Sequence, residues 1–596
     1  MSMSAASDAL ATDGANDRAT DGATDRASSS SHSGGRRPPV LSGGWPLIGH
    51  LLELRKRPIE LFQRVRDELG EIGEINFAGN RVVMMMGEQA QEAFFRAPDE
   101  QLDQAAAYPF MKPVFGEGVV FDGTPEQRKQ AMRNQSLRAE FMKGHAATIS
   151  REVERMMEKL GDAGEIDLLD FFSELTVYTS TACLIGKEFR EEMTPAYFRT
   201  FYDLEKGTDA WAYVNPHLPL PVFRTRDRAR RELVAMLTEV FERRQRNPST
   251  KKELFDHLLA ARDAEGNPVY TIDRITGLFI SLMFAGHHTT SGTAAWTMIE
   301  LLKNPTELEG VIDELDEIYA DGREVSYQAL REIPRLERAL HETLRLHPPL
   351  IILMRKVMSD FHYKDWTIPA GRLVGVSPAV SNRMPECFPE PDRFDPSRYG
   401  PGREEDKQLF AWIPFGGGRH RCVGAAFALM QLKAIFSDLL RQYEFELVQP
   451  PESYRNDHSK MVVQLEQPCR ARYRRRRRMG GLAVGLETDA QAGQAVGQVG
   501  QAAAQSGQTG TAVEATAQTA ASSAEAGIRV RVDLDLCQGH RVCVSEAPEV
   551  FEIEHVDGAD RVRLKCETAS PELREKIELA VHHCPTRALS IEADES

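Results

Sequence analysis

The sequence predicts two folded units of different class: a mainly α domain with small β-sheets over residues 38–478, and a small α+β domain over 528–596. Three observations predict this. Apolar residues recur at helical spacing through most of the first unit, as in 171–185 and 275–302, while strand-like runs such as 81–86 and 372–376 are sparse. Between 479 and 527 the composition collapses to Ala, Gly, Gln, Thr and Ser, and no Phe, Trp or Tyr occurs from Arg474 until Phe551. Beyond it, the apolar alternation of IRVRVDLDL and RVRLK brackets a helical stretch at 572–583. With 596 residues, 41% of them hydrophobic and 27% charged, the chain needs more than one core.

Residues 1–37 carry the near-repeat ATDGANDRATDGATDRA and almost no large apolar side chains, so disorder is expected. They lack the apolar stretch of a secretory signal. Order should begin at Pro38, where PPVLSGGWPLIGH mixes Pro, Gly and bulky residues, and end near Tyr473, followed by the arginines 474–478 as a solvated anchor for the linker. A flexible coil over 479–527 would span roughly 35–42 Å and hold the tail at a local concentration on the order of millimolar.

The net charge of −16 argues against a nucleic-acid binder. No run of 18 or more apolar residues is evident, the best stretch being 278–285, so a soluble, cytoplasmic protein without a transmembrane segment is expected. In that compartment the eight cysteines are candidates for metal or cluster ligation rather than a disulfide framework.

The densest motif is FGGGRHRCVG, 415–424, a glycine-rich loop that presents Cys422 just before a helical run at 425–440. Backbone donors and a helix N-terminus stabilise a thiolate there. Upstream, Glu342 and Arg345 of ETLR share a helix face, and Arg393 stands in PDRF. FAGHHTTSG, 284–292, places Gly and Thr inside a long apolar helix, which predicts a kink. These motifs, in this order, resemble those of cytochromes P450. The resemblance implies a haem b held by Cys422, with Phe415, Gly418, His420 and Gly424 on the family's loop positions, and Glu342, Arg345 and Arg393 as a buried structural trio. It also implies that Thr289 holds the water that passes protons to bound O2. His288 stands where most of the family carries an acid; titrating near neutral, it can relay protons with Glu205 of FYDLEKG as the resembling partner.

YPFMKPVFGEGVVFD, 108–122, together with GHHT resembles the two substrate signatures of sterol 14α-demethylases, and the similarity continues through residues 40–475. It implies an apolar sterol pocket of Phe110, Met111, Phe115, Phe121, Ala285, Leu350, Ile352 and Met461. Tyr108, Lys129, Arg355 and His420 would meet the haem propionates. Lys112 and Thr290 depart from the pattern. The implied reaction is removal of the 14α-methyl group of a lanosterol-like sterol in three O2-dependent oxidations. A P450 acting on another steroid or terpenoid, and a haem-based redox sensor, are the rival readings.

In the tail, CQGHRVC (537–543) and the later HCP with Cys584 resemble monooxygenase-associated bacterial ferredoxins. The resemblance implies a cluster on Cys537, Cys543 and Cys584. His540 occupies the place of a fourth thiolate, which favours 3Fe-4S; a 4Fe-4S cluster with another ligand, and zinc, are the alternatives. The tail holds 15 acidic against 9 basic residues and is expected to dock on a basic face of the haem domain. No G-x-G-x-x-G unit is present, so a separate NAD(P)H-dependent ferredoxin reductase is implied.

Overall fold

Around the helix Ile272–Lys303 the larger unit is assembled, in a computed structural model that describes residues 35–476 and 527–592 apart from 78, 120–138, 194, 209, 214, 247–253, 263–265, 409, 535, 538, 557–558 and 585. Residues 1–34 of the expected terminal segment 1–37, residues 479–526 of the expected linker 479–527, and the site residues Phe121 and Lys129 lie outside the described residues. That helix starts where the Thr271 hydroxyl accepts from the Arg274 N–H at 3.3 Å, and it is buried along most of its length because it is apolar on nearly every side. Against it packs Leu168–Ser180, capped by the Asp167 carboxylate. Ala425–Gln442 completes the core, with Phe172 stacked on Phe436 at 5.9 Å.

The main sheet has five strands in the order Ile72–Phe77, Asn80–Met85, Leu373–Val376, Leu353–Val357 and Leu102–Asp103. Only the pairing of the second with the third is parallel. A second sheet places Arg470–Arg475 between Ala163–Asp167 and Tyr443–Leu447. The C-terminal unit has its own core of Ile528, Val530, Phe551, Val562, Ile577 and Leu589. Its strand Ile528–Val532 lies between Thr568–Ala569 and Leu589–Ile591, beside the hairpin Phe551–Val556 and Ala559–Leu564.

Three expectations change. The helix expected at 171–185 is α-helical over Leu168–Ser180 and then widens into a π turn, Thr181–Ile185. The segment 284–292, where a kink is expected, does not interrupt the helix, and Gly286 also serves close packing. The Ser180 hydroxyl donates to the Gly286 carbonyl at 3.0 Å, and a Cβ at 286 would lie 3.0 Å from that same oxygen. The 18 residues Leu168–Ile185 are apolar enough by composition to cross a membrane, yet 78% of them are buried inside the fold.

The trio around Glu342 is also corrected. Arg345 donates to both carboxylate oxygens of Glu342, at 2.7 and 2.8 Å, and reaches the carbonyls of Asn382, Pro391 and Arg393. Arg393 contributes only that carbonyl; its side chain is 64% exposed and pairs with Glu390. The second guanidinium on Glu342 belongs to Arg398, 1% exposed, with Nε 3.2 Å from Oε1. The Tyr399 hydroxyl (2.8 Å) and the Asp395 N–H (2.9 Å) complete the shell. A buried carboxylate needs every lone pair met, and a flexible surface arginine cannot do that. Arg398→Ala is expected to destabilise the larger domain by about 3–5 kcal/mol. Arg393→Ala should stay within about 0.5 kcal/mol, both read from urea unfolding of the full chain.

Candidate active site

The loop 415–424 is folded around its cysteine. The Cys422 N–H donates to the Phe415 carbonyl at 2.9 Å. Gly416 and Gly418 take left-handed backbone, φ 69 and 61, and a Cβ on Gly418 would overlap the Phe95 carbonyl oxygen. Gly424 leads into the helix Ala425–Gln442, and a Cβ there would sit 3.8 Å from the Cys422 sulfur. Burial pushes the Cys422 thiol up, while the Gly424 N–H and the Arg421 guanidinium pull it back. Its accessible surface therefore belongs to an internal cleft. Ala285 is likewise exposed although Phe284 and His288 beside it are buried. Such open patches on otherwise buried elements, one of them a thiol, are what a flat, thiolate-held group such as haem would cover.

On the same turn as Ala285, the Thr289 hydroxyl donates to the Ala285 carbonyl at 2.8 Å. His288 meets the Glu205 carboxylate through a very short contact, and His287 approaches the same oxygen at 3.6 Å. The Gln464 amide donates to His288 Nδ1 at 3.2 Å, so Nε2 carries the proton that faces Glu205. Thr176 gives its hydroxyl proton to the Phe172 carbonyl at 2.7 Å, so His287 Nδ1–H donates to Thr176 at 2.9 Å. The pairing of His288 with Glu205 was expected from the family resemblance. The role of His287 was not, although the HH doublet could have signalled it. Burial lowers both imidazoles to about 3, with His288 further lowering His287 and Lys460 further lowering His288. The expectation that His288 titrates near neutral is thereby corrected.

Tyr108 is buried, its oxygen accepting from the Met354 N–H at 2.9 Å, and burial raises its hydroxyl to about 12. Arg355 donates to the Phe94 carbonyl at 2.7 Å and lies over the Phe94 ring. His420 meets Asp99 at 2.6 Å, a carboxylate the sequence reading did not single out. Phe110, Met111 and Phe115 belong to one buried apolar cluster, against which Leu350, Ile352 and Met461 pack; Phe284 meets Phe115 edge to face at 5.6 Å.

In the smaller unit Cys537, Cys543 and Cys584 line one cavity together with His540. Burial pushes the Cys543 thiol up to about 12, with Cys584 and Cys537 beside it adding to the rise. Backbone N–H groups of Val562 and Ala588 donate to the sulfurs of Cys537 (3.4 Å) and Cys584 (3.3 Å). Among the described residues, the one set of three His, Cys, Asp or Glu ligand atoms all within 4.8 Å is Glu205, His287 and His288, whose atoms are already engaged with one another. At least one cysteine pair is therefore wider than 4.8 Å. Thiolates on a single tetrahedral zinc would stand about 3.8 Å apart. Three sulfurs spread wider than that suit a multi-iron cluster.

The cavity that Cys584 lines comes close to the segment leading into the 415–424 loop, because Arg587, three residues after Cys584, lies over the Trp412 ring at 5.1 Å. Arg421 carries the influence of both Cys422 and Cys584, and His540 feels Arg421. Ion pairs cross between the units at Arg96–Asp533 (3.0 Å), Arg331–Glu546 (3.0 Å) and Asp406–Arg587 (3.0 Å). The expected acidic-on-basic docking thus describes two of these pairs and misses the third.

A family model described as Cytochrome P450 matches residues 38–471, and one described as a 4Fe-4S single cluster domain matches 530–591. The sterol 14alpha-demethylase of Mycobacterium tuberculosis is 59% identical over 442 residues, covering 74% of this chain and 98% of that protein. The sterol 14-demethylase of Arabidopsis thaliana is 37% identical over 452 residues, 74% of this chain and 92% of its own length. For the lanosterol 14-alpha demethylase of Pongo abelii the values are 33% over 454 residues, 74% and 88%. Among solved structures, cyanobacterial CYP120A1 bound to retinoic acid superimposes with a TM-score of 0.66 at 23% identity, over 74% of this chain and 99% of that one, a likeness of fold.

The buried histidines carry a pH consequence. Unfolded, both would titrate near 6.5. Folded, they stay neutral down to about 3, so below about pH 6.5 the unfolded chain binds protons that the folded chain does not. Their contribution to stability is complete above that value and is lost as the pH falls. The unfolding midpoint should drop between about pH 7.5 and about pH 5, and the double variant His287→Gln, His288→Gln should blunt the drop. An equally steep drop in that variant would show that these imidazoles are not held neutral.

Proposed function

The chain belongs to the cytochrome P450 family, and from that premise we propose that it removes the 14α-methyl group of a lanosterol-like sterol with electrons delivered through its own C-terminal iron–sulfur domain. The observation that carries the reading is the 59% identity over nearly the whole length of a relative named for that activity. Haem, when bound, supplies the activation of O2, with a thiolate as its axial ligand. Cys422 would provide that thiolate, and the N–H of Gly424 would keep its charge in place. Tyr108, Lys129, Arg355 and His420 would take the propionates.

The sterol is a rigid apolar plate, so its recognition would fall to buried area supplied by Phe110, Met111, Phe115, Leu350, Ile352, Met461 and Ala285, with Phe121 assigned to the same role by the family resemblance. Glu205 and His288 would manage the protons delivered to Thr289, with His287 holding the far side of the carboxylate. Three rounds, each using O2 and two electrons, convert the methyl group to alcohol, to aldehyde and then to formic acid, leaving a 14,15 double bond. A separate NAD(P)H-dependent ferredoxin reductase, in the cytoplasm, would reduce the cluster, and the chain segment 479–527 would keep the two domains together.

In the smaller domain a single 3Fe-4S cluster on Cys537, Cys543 and Cys584 suits three thiolates, with the neutral His540 in the fourth position. The oxidised chain should then give the paramagnetic resonance of a three-iron cluster, and His540→Cys should convert it to a four-iron cluster that is silent when oxidised. A silent cluster in the unaltered chain would assign four irons.

Turnover of a 14α-methyl sterol with NADPH and a generic ferredoxin reductase, without added ferredoxin, tests the whole reading by mass spectrometry. The demethylated diene is the expected product. If product forms only when external ferredoxin is added, the sterol assignment stands and the role of the tail falls; no product in either case overturns the sterol assignment.

A further inference from the structure

Among the described residues three arginine–carboxylate pairs join the domains, and two of them put the arginine on the haem domain and the carboxylate on the tail: Arg96–Asp533 and Arg331–Glu546, the latter joined by His583 Nδ1 at 2.9 Å from Arg331, while His582 of the tail stands 3.9 Å from Glu337 of the haem domain. The third runs the other way. Asp406, in the turn Glu405–Lys407, receives Arg587 of the tail at 3.0 Å, and the Arg587 guanidinium lies over the Trp412 ring, 5.1 Å from its centroid. Arg587 adopts left-handed backbone, φ 54, uncommon for a residue with a side chain, and both members of the pair are largely covered, 18% and 20% exposed. Arg587 follows Cys584 by three residues, and its amide N–H donates to the Cys584 carbonyl at 3.0 Å. Trp412 in turn contacts Phe415, whose carbonyl holds the Cys422 N–H.

We infer that Asp406 and Arg587 form a reversed-charge address by which the haem domain accepts its own ferredoxin domain in one orientation, the cluster loop against the thiolate loop, and rejects a partner that presents only acidic groups. The inference rests on the reading of the tail as electron donor. Two arginines facing an acidic domain attract it without fixing its orientation, because the tail has other carboxylates to offer. A partner that turned a carboxylate toward Asp406 would bury like charges, so only the orientation that brings Arg587 there is tolerated. That orientation would set the residues that hold the cluster beside the segment that presents Cys422, so that an electron supplied by the reductase and lost by the reduced cluster would be gained by the ferric haem.

The test uses the full chain loaded with haem and cluster, in four forms: unaltered, Asp406→Arg, Arg587→Asp, and the double exchange. Two quantities are read: the rate at which a pre-reduced cluster reduces the haem, trapped as the carbon monoxide complex, and hydrogen exchange over residues 405–422. Each single reversal should slow haem reduction about tenfold or more and raise exchange, while the double exchange recovers most of both. Singles within about twofold of the unaltered chain, or a double variant as slow as the singles, overturn the inference. If the reversals change exchange as expected while the unaltered chain never passes electrons to the haem, the address stands and the donor reading fails. Should a reversal unfold either domain, Arg587→Gln gives the same comparison with a smaller expected slowing of about threefold.

Discussion

Glu342 is a carboxylate removed completely from water, and the rest of the larger domain is arranged around the need to satisfy it. Arg345 and Arg398 neutralise it, and the Tyr399 hydroxyl and Asp395 N–H take its remaining lone pairs. Because Arg345 also reaches the Asn382 carbonyl, and the Asn382 side chain accepts the Ile413 N–H at 3.0 Å, the network continues to the residues that lead into the thiolate loop. From there Trp412 packs on Phe415, and Phe415 holds Cys422. A charge cluster of this kind adds little net stability over an apolar equivalent, but removing one member leaves an uncompensated charge. It therefore fixes one arrangement of the segments between Pro334 and Cys422, which is what a sulfur needs if it is to be presented at a defined place.

The same physics decides what could be read from the sequence. Glu342 and Arg345 are three residues apart on one helix, so their pairing is local. The third partner arrives from a loop, and spacing alone could not distinguish Arg393 from Arg398; the choice depends on which side chain turns inward after the Pro396–Tyr399 turn. Gly286 is a related case. A glycine in a helix has two uses, to bend it or to let another helix approach, and only the position of Ser180 tells them apart. Cys422 and the three tail cysteines were legible because ligand chemistry constrains both residue type and local spacing, whereas the pairing of His288 with the distant Glu205 came only from the family resemblance. His287 was overlooked because its partner Thr176 is 111 residues away.

Burial sets the behaviour of both functional centres. Beside Glu205, low polarity keeps the two buried imidazoles neutral. At the junction of the domains, burial and the nearby Arg587 push Arg421 down to about 9, because two guanidiniums are brought close with Asp406 between them as compensation. Cys422 and Cys584 both contribute to the field at Arg421. A charge added to either sulfur-bound centre is thus felt by the same cation.

Covalent attachment changes how strong such a junction has to be. Two separate proteins at micromolar concentration need a dissociation constant of about that value, on the order of −8 kcal/mol, to be paired most of the time. Domains on one chain meet at an effective concentration on the order of millimolar, for which about −4 kcal/mol suffices. Three ion pairs, each worth about 0–1 kcal/mol where exposed and more where covered, with one arginine–tryptophan contact of about 0.5–2 kcal/mol, reach that level and little beyond it. A junction of this strength forms and opens readily. Under the proposed function the tail would have to open to meet a reductase, so weak contacts with strict charge geometry would serve it better than a broad apolar seam: orientation would come from the reversed pair, and occupancy from the shared chain.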